Sequence, residues 1–157
     1  LTDARANEVD YLKRILAAGR DDNLEVFTSL LTVAEVVKVG DEKPDEAMKR
    51  KIERLILSGR DGIKVVGLNP SIATLARDLC SDDGIKGRSA DRVHLATAIH
   101  VGCAEFLTFD DKLEKRVKKK EARGCKLLLP SKSLLLPTEY RATDMFEAKG
   151  AEEKKPR

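Results

Sequence analysis

Short apolar runs alternate with longer stretches whose apolar positions recur every three to four residues. The first long stretch, 4–18, puts Val9, Leu12, Ile15 and Leu16 on one helical face and stops at Gly19. The run 24–28 (LEVFT) reads as a strand, and Ser29 is placed to cap a helix over 31–39 that Gly40 ends. Pro44 suits the first turn of a helix reaching Ser58, with Met48, Ile52, Leu55 and Ile56 inward. Residues 63–66 form the next strand, and Asn69-Pro70 caps and opens a helix through Cys80. The polar stretch 81–88, with two glycines, reads as a loop.

The stretch 88–113 organises the rest. Ser89 can cap a helix that is apolar on most sides (Val93, Leu95, Ala96, Ala98, Ile99, Val101), and Gly102 ends it. A strand over 106–109 follows, with Asp110 and Asp111 at its exit. A basic helix is expected over 112–123, stopped by Gly124, and a last strand over 125–129. Short strands alternating with helices predict an α/β domain with a parallel sheet covered on both faces. The domain is expected over 1–137, with 138–157 a polar, disordered tail.

Composition narrows the class. Charged residues make up 36% and apolar residues 41% of 157, and net charge is +3, which suits a globular chain and argues little about partners. Between 112 and 126, eight Lys or Arg stand against two Glu. That excess reads either as a solvated helix face or as a nucleic-acid contact through Lys115, Arg116, Lys118 and Lys119. Three cysteines without metal-ligand spacing read as buried thiols in a reducing, cytoplasmic setting. No apolar stretch is long enough to span a membrane, and no signal peptide is visible.

Three acids fall at equivalent places. Glu35 lies inside the helix after the first strand, Asp91 in the first turn of the 89–101 helix, and Asp110 at the exit of the 106–109 strand. In a parallel sheet such exits share one rim. Clustered carboxylates repel unless a cation binds, and a hard oxygen set suits Mg²⁺ or Mn²⁺, which can activate water against a phosphodiester. Singly, each has a plainer reading: a solvent-facing helix residue, a helix-start charge, a cap. Asp111 is either a first-turn charge or a residue supporting the site. Ser29 and Thr108 either orient carboxylates from behind or serve as a cap and a strand residue. His94, one turn after Asp91, is favoured as structural, and His100 likewise. No Gly-rich phosphate loop, GxSxG or supported Ser/His/Asp set is present.

The segment 89–98 (SADRVHLATA) resembles the D-A-[IV]-H-L-A-T-A block of PIN-domain proteins, especially VapC-type toxin ribonucleases. Residues 107–113 (LTFDDKL) resemble their LT-x-D strand exit, and 28–35 (TSLLTVAE) their S-x-x-T-x-x-E segment. The resemblance implies a three-layer fold around a parallel sheet and a Mg²⁺/Mn²⁺-dependent endoribonuclease. Glu35, Asp91 and Asp110 would be the catalytic metal ligands, RNA the substrate, homodimerisation frequent, and a cognate antitoxin the inhibitor. In that family a first acid ends an N-terminal central strand, which this sequence lacks; the expectation is that this strand precedes Leu1. The rival reading is a non-catalytic PIN-like scaffold binding RNA or protein. A phospho-acceptor domain built on Asp110-Asp111 matches poorly, because the last strand exits into Pro130-Ser131-Lys132 rather than directly into a lysine.

Overall fold

A computed structural model describes residues 3–36, 45–59, 62–117 and 120–141. Helix α1 (Asp3–Arg20) packs over strand β1 (Val26–Ser29), which leads into the short α2 (Leu31–Glu35). Then come α3 (Glu46–Leu57), β2 (Ile63–Val66), α4 (Pro70–Ser81), α5 (Ser89–His100), β3 (Glu105–Leu107) and α6 (Asp111–Arg116). The hairpin of β4 (Glu121–Ala122) and β5 (Cys125–Leu128), a 3-10 turn and α7 (Thr138–Arg141) close the described chain.

Local chemistry sets these boundaries. The Asn69 side chain accepts from the Ile72 N–H at 2.9 Å, and Pro70 opens α4, as the sequence predicts. Asp45 caps α3 through the Met48 N–H at 2.7 Å. Arg88, rather than Ser89, holds the cap position of α5 and makes no side-chain cap bond; Ser89 is the first helical residue. Gly19 does not stop α1, which continues to Arg20.

Residues 112–123 are not one basic helix. Helix α6 ends at Arg116 because Val117 turns extended and is buried, and Arg123 and Gly124 both take positive φ, turning β4 into β5. Gly124 is therefore a hairpin residue, not a helix stop. Lys118 and Lys119 lie outside the described residues, as do residues 37–39 of the expected 31–39 helix.

The expected tail begins with a packed element. Tyr140 donates its hydroxyl to Asp21 at 2.6 Å and accepts from the Asn23 amide at 3.0 Å. Arg14, paired with Asp10 at 2.7 Å, also reaches the Arg141 carbonyl at 3.3 Å. These bonds fasten α7 to α1; residues 142–157 lie outside the described residues.

Two apolar clusters lie on opposite faces of the sheet. One joins α4, α5, α6 and β5 through Ile72, Leu79, Leu95, Leu113, Val117 and Leu127. The Thr97 hydroxyl, buried among them, donates to the Val93 carbonyl at 2.7 Å and so is satisfied. The smaller cluster holds Ile15, Ala18 and Leu136, with Tyr11, Val26 and Leu107 against it. Phe106 and Leu107 thus serve opposite faces, as strand alternation requires.

The sheet comes in two parts. β1 pairs β2 in parallel, Val26 opposite Ile63 and Ser29 opposite Val66. β5 lies between β3, parallel to it, and β4, antiparallel. Between the free edges of β1 and β3 is a cleft of about 320 Å³, floored by Leu12 and Ile15 of α1 and by Thr97 and Ala98 of α5.

Candidate functional site

Strand direction decides where the acids stand. Glu8, early in α1, accepts from the Ser131 N–H at 2.8 Å, just past the carboxyl end of β5. The other end of α1 meets the turn before β2, where Gly19 and Gly62 touch. So α1 runs against β2 and β5, and these two strands point the same way. At the amino ends, the Glu25 charge acts on Cys103, placing the starts of β1 and β3 together. Helix α5 finishes at the start of β3 and therefore begins at the carboxyl rim.

That rim receives Glu35 through α2, Asp91 through the first turn of α5, and Asp110 directly after β3. Each acid has its own partner. Glu35 Oε2 lies 2.5 Å from His94 Nε2. Asp91 Oδ2 is 3.7 Å from an Arg116 guanidinium nitrogen. Asp110 Oδ1 accepts the backbone N–H groups of Lys112 at 2.8 Å and Leu113 at 3.3 Å, capping α6.

The supporting hydroxyls act on backbone and on each other. Thr108 Oγ1 accepts the Asp110 N–H at 3.0 Å, and Ser29 Oγ accepts the Leu31 N–H at 3.3 Å. Both shape the chain that carries an acid rather than the carboxylate itself. Thr28 and Thr32 share a hydroxyl hydrogen bond at 2.9 Å across the entry to α2. Asp111 opens α6, and its side chain lies outside what the structure describes.

Two residues have roles the sequence did not reveal. His94, favoured from the sequence as structural, has Glu35 as its hydrogen-bond partner. Its position one turn after Asp91, on the same side of α5, was the available signal. Arg116, expected on an RNA-facing helix, instead turns to Asp91 across the space above Gly87. A Cβ on Gly87 would lie 2.4 Å from its guanidinium. Nothing in the spacing announces that pair. Lys115 stays exposed on the last turn of α6.

Oxygen ligands of the right chemistry for a divalent ion are present, yet among the described residues no three Asp, Glu, His or Cys side chains converge closely enough to hold one. Glu35 is engaged by His94, Asp110 by the start of α6, and Asp91 faces a cation. The described residues by themselves do not complete a metal centre.

Two of the three cysteines, Cys103 and Cys125, are inert for a simple reason. Burial pushes the Cys125 thiol up to about 12, and Cys103 is raised by burial and then by Glu25. Neither supplies a thiolate nucleophile at neutral pH. Among the described residues, no helix is long and apolar enough to cross a membrane.

The chain was compared with known proteins. No curated protein and no solved structure matches it. A family model, that of the PIN domain, matches residues 1–119 of the 157. PIN domains are generally nucleases and typically use divalent metal ions. The match runs from α1 through α6 and includes all three rim acids, and the chain belongs to the PIN-domain family.

Proposed function

We propose that this chain is an endoribonuclease, dependent on Mg²⁺ or Mn²⁺, that hydrolyses RNA phosphodiester bonds as the toxin of a toxin–antitoxin pair. The observation that carries the reading is the PIN-domain match over residues 1–119, within which α2, α5 and the exit of β3 place Glu35, Asp91 and Asp110 at the same rim of the sheet. In this reading Glu35, oriented by His94, is the carboxylate set to accept a proton from water. Lys115, exposed on the last turn of α6, supplies positive charge for the phosphate backbone, joined by Lys118 and Lys119, while Arg116 stands beside Asp91. The partners proposed are a cognate antitoxin protein and a second copy of the chain. The exposed Met48, Leu55 and Leu57 of α3 are apolar surface that such a partner could cover.

A second reading, a non-catalytic scaffold, is favoured by one observation: each rim acid already has a partner within the chain. Cleavage of total RNA separates the two. Asp110→Asn is the decisive variant, because Asn caps a helix as well as Asp and removes only the charge. Cleavage that requires Mg²⁺ or Mn²⁺, stops with chelator and falls at least about a hundredfold in Asp110→Asn supports the nuclease. Cleavage unchanged by Asp110→Asn, or persisting in chelator, rejects this mechanism. RNA binding without cleavage in every arm selects the scaffold.

A further inference from the structure

Among the described residues, every aromatic side chain but one is already engaged within the chain. The Arg14 guanidinium lies over the Tyr11 ring at 5.4 Å, and the Lys64 ammonium over the Phe27 ring at 5.6 Å. Phe106 packs against the larger apolar cluster, and Tyr140 is bonded to Asp21 and Asn23. Phe109 is the exception, with 41% of its surface exposed. A single exposed apolar side chain needs no explanation by itself. What sets Phe109 apart is where it is held: between Thr108 and Asp110 at the exit of β3, on the rim that carries the three acids. Both neighbours are pinned. The Thr108 N–H donates to the Leu128 carbonyl at 3.0 Å, and the Thr108 hydroxyl accepts the Asp110 N–H at 3.0 Å. Asp110 in turn caps α6. The ring is presented from a fixed turn, so a ligand stacking on it orders little new backbone.

Cations follow the ring at one-turn spacing. Lys112 and Lys115 are both exposed on α6, at positions i and i+3 and so on one side of the helix, while Leu113 and Val117 face the core. Neither ammonium has a partner among the described residues. An aromatic face beside a row of unpaired cations is what holds single-stranded nucleic acid: the ring takes a base and the ammonium groups follow the backbone. A protein partner would call for a wider apolar patch. The other exposed apolar residues at strand exits, Leu30 and Leu68, follow β1 and β2 in the other part of the sheet.

We propose that Phe109 is a base-stacking platform: a single-stranded RNA lays one base on its ring and the flanking phosphates on Lys112 and Lys115, which sets the register of the strand against Asp110. The choice of RNA as the strand rests on the nuclease reading. Every base has a π-face, so this contact fixes position along the strand and does not select sequence.

The test measures binding without chemistry. The full chain, in chelator, is titrated into single-stranded RNA of about eight nucleotides, with a terminal dye for anisotropy and 2-aminopurine moved through the positions in turn. At one position, 2-aminopurine fluorescence should be quenched by the parent chain and by Phe109→Trp, and not by Phe109→Leu. Phe109→Leu should weaken binding at least about fivefold, and Phe109→Trp should restore it. Lys112→Gln with Lys115→Gln should flatten the log–log salt slope by about 1.4 while leaving the quench at saturation. Because the ring is exposed, both Phe109 variants should melt with the parent, which separates a lost contact from a lost fold. Equal affinity of Phe109→Leu and parent, quenching that survives Phe109→Leu, or no RNA binding by the parent overturns the proposal; the first of these leaves Phe109 to a protein partner. Cleavage plays no part in the readout. Stacking in a chain that never cleaves RNA would sink the nuclease reading alone, and cleavage without stacking would sink this proposal alone.

Discussion

Replacing Gly62 with alanine should unfold this chain more readily than a methyl added at any other glycine turn among the described residues. Gly62 has φ of +72°, and a Cβ there would sit 2.3 Å from both the Arg20 amide nitrogen and the Gly19 carbonyl carbon. Both obstacles are backbone at the end of α1, so no rotamer change relieves them. Left-handed φ costs a residue bearing a Cβ about 1–2 kcal/mol. Overpacking adds about 1–3 kcal/mol, while the stiffer unfolded chain returns about 0.4–1 kcal/mol. The net loss lies between about 1 and 4.6 kcal/mol, and its centre near 3 kcal/mol is a fall in Tm of about 6–12 °C for a chain this size. Gly59→Ala is the control, because its φ is +65° but its nearest obstacle, the Ile63 carbonyl oxygen, is 3.9 Å away. It should lose only the conformational part, about 1 kcal/mol or less. Urea unfolding followed by circular dichroism at 222 nm measures both. Equal losses in the two variants would refute the close packing of α1 against the β2 turn.

Asp110→Ala should cost about 1 kcal/mol through loss of the α6 cap, while Asp110→Asn should cost almost nothing; urea midpoints compare them. Leu95→Ala, at a position with no exposed surface, should lose about 2–5 kcal/mol in the same assay. Cys125 ionises near 9 when unfolded but at about 12 when folded, so its contribution to stability is intact below pH 9 and falls as pH rises from there to 12. Relative to Cys125→Val, the parent chain should therefore lose up to about 1.4 kcal/mol per pH unit above 9, measured by urea unfolding at pH 8 and 10. Lys118→Glu with Lys119→Glu should weaken RNA binding and flatten its log–log salt slope by at least about 1.4, measured by fluorescence anisotropy.

The elements from α1 to α5 are legible in the sequence because their signals lie a few residues apart. Asn69-Pro70 and the spacing of Ile72, Ala76 and Leu79 specify α4 without reference to the rest of the chain. The order of elements, and with it the carboxyl rim bearing Glu35, Asp91 and Asp110, follows from the alternation of short strands and helices. What needed tertiary contacts was the fate of ambiguous segments. Residues 112–123 are basic enough for a helix, but burial of Val117 and Ala122 and the left-handed Arg123-Gly124 pair divide them into a short helix and a hairpin. Thr138–Arg141 carries too little apolar surface to announce itself, and is held by Tyr140 on Asp21 and by Arg14. The partners of the acids are the clearest case. His94 and Glu35 are 59 residues apart, and Arg116 follows Asp91 by 25, so neither contact leaves a periodic trace. Periodicity records which face of an element is buried; it does not record which charged side chain crosses from one element to another, because that depends on how the packed elements are placed.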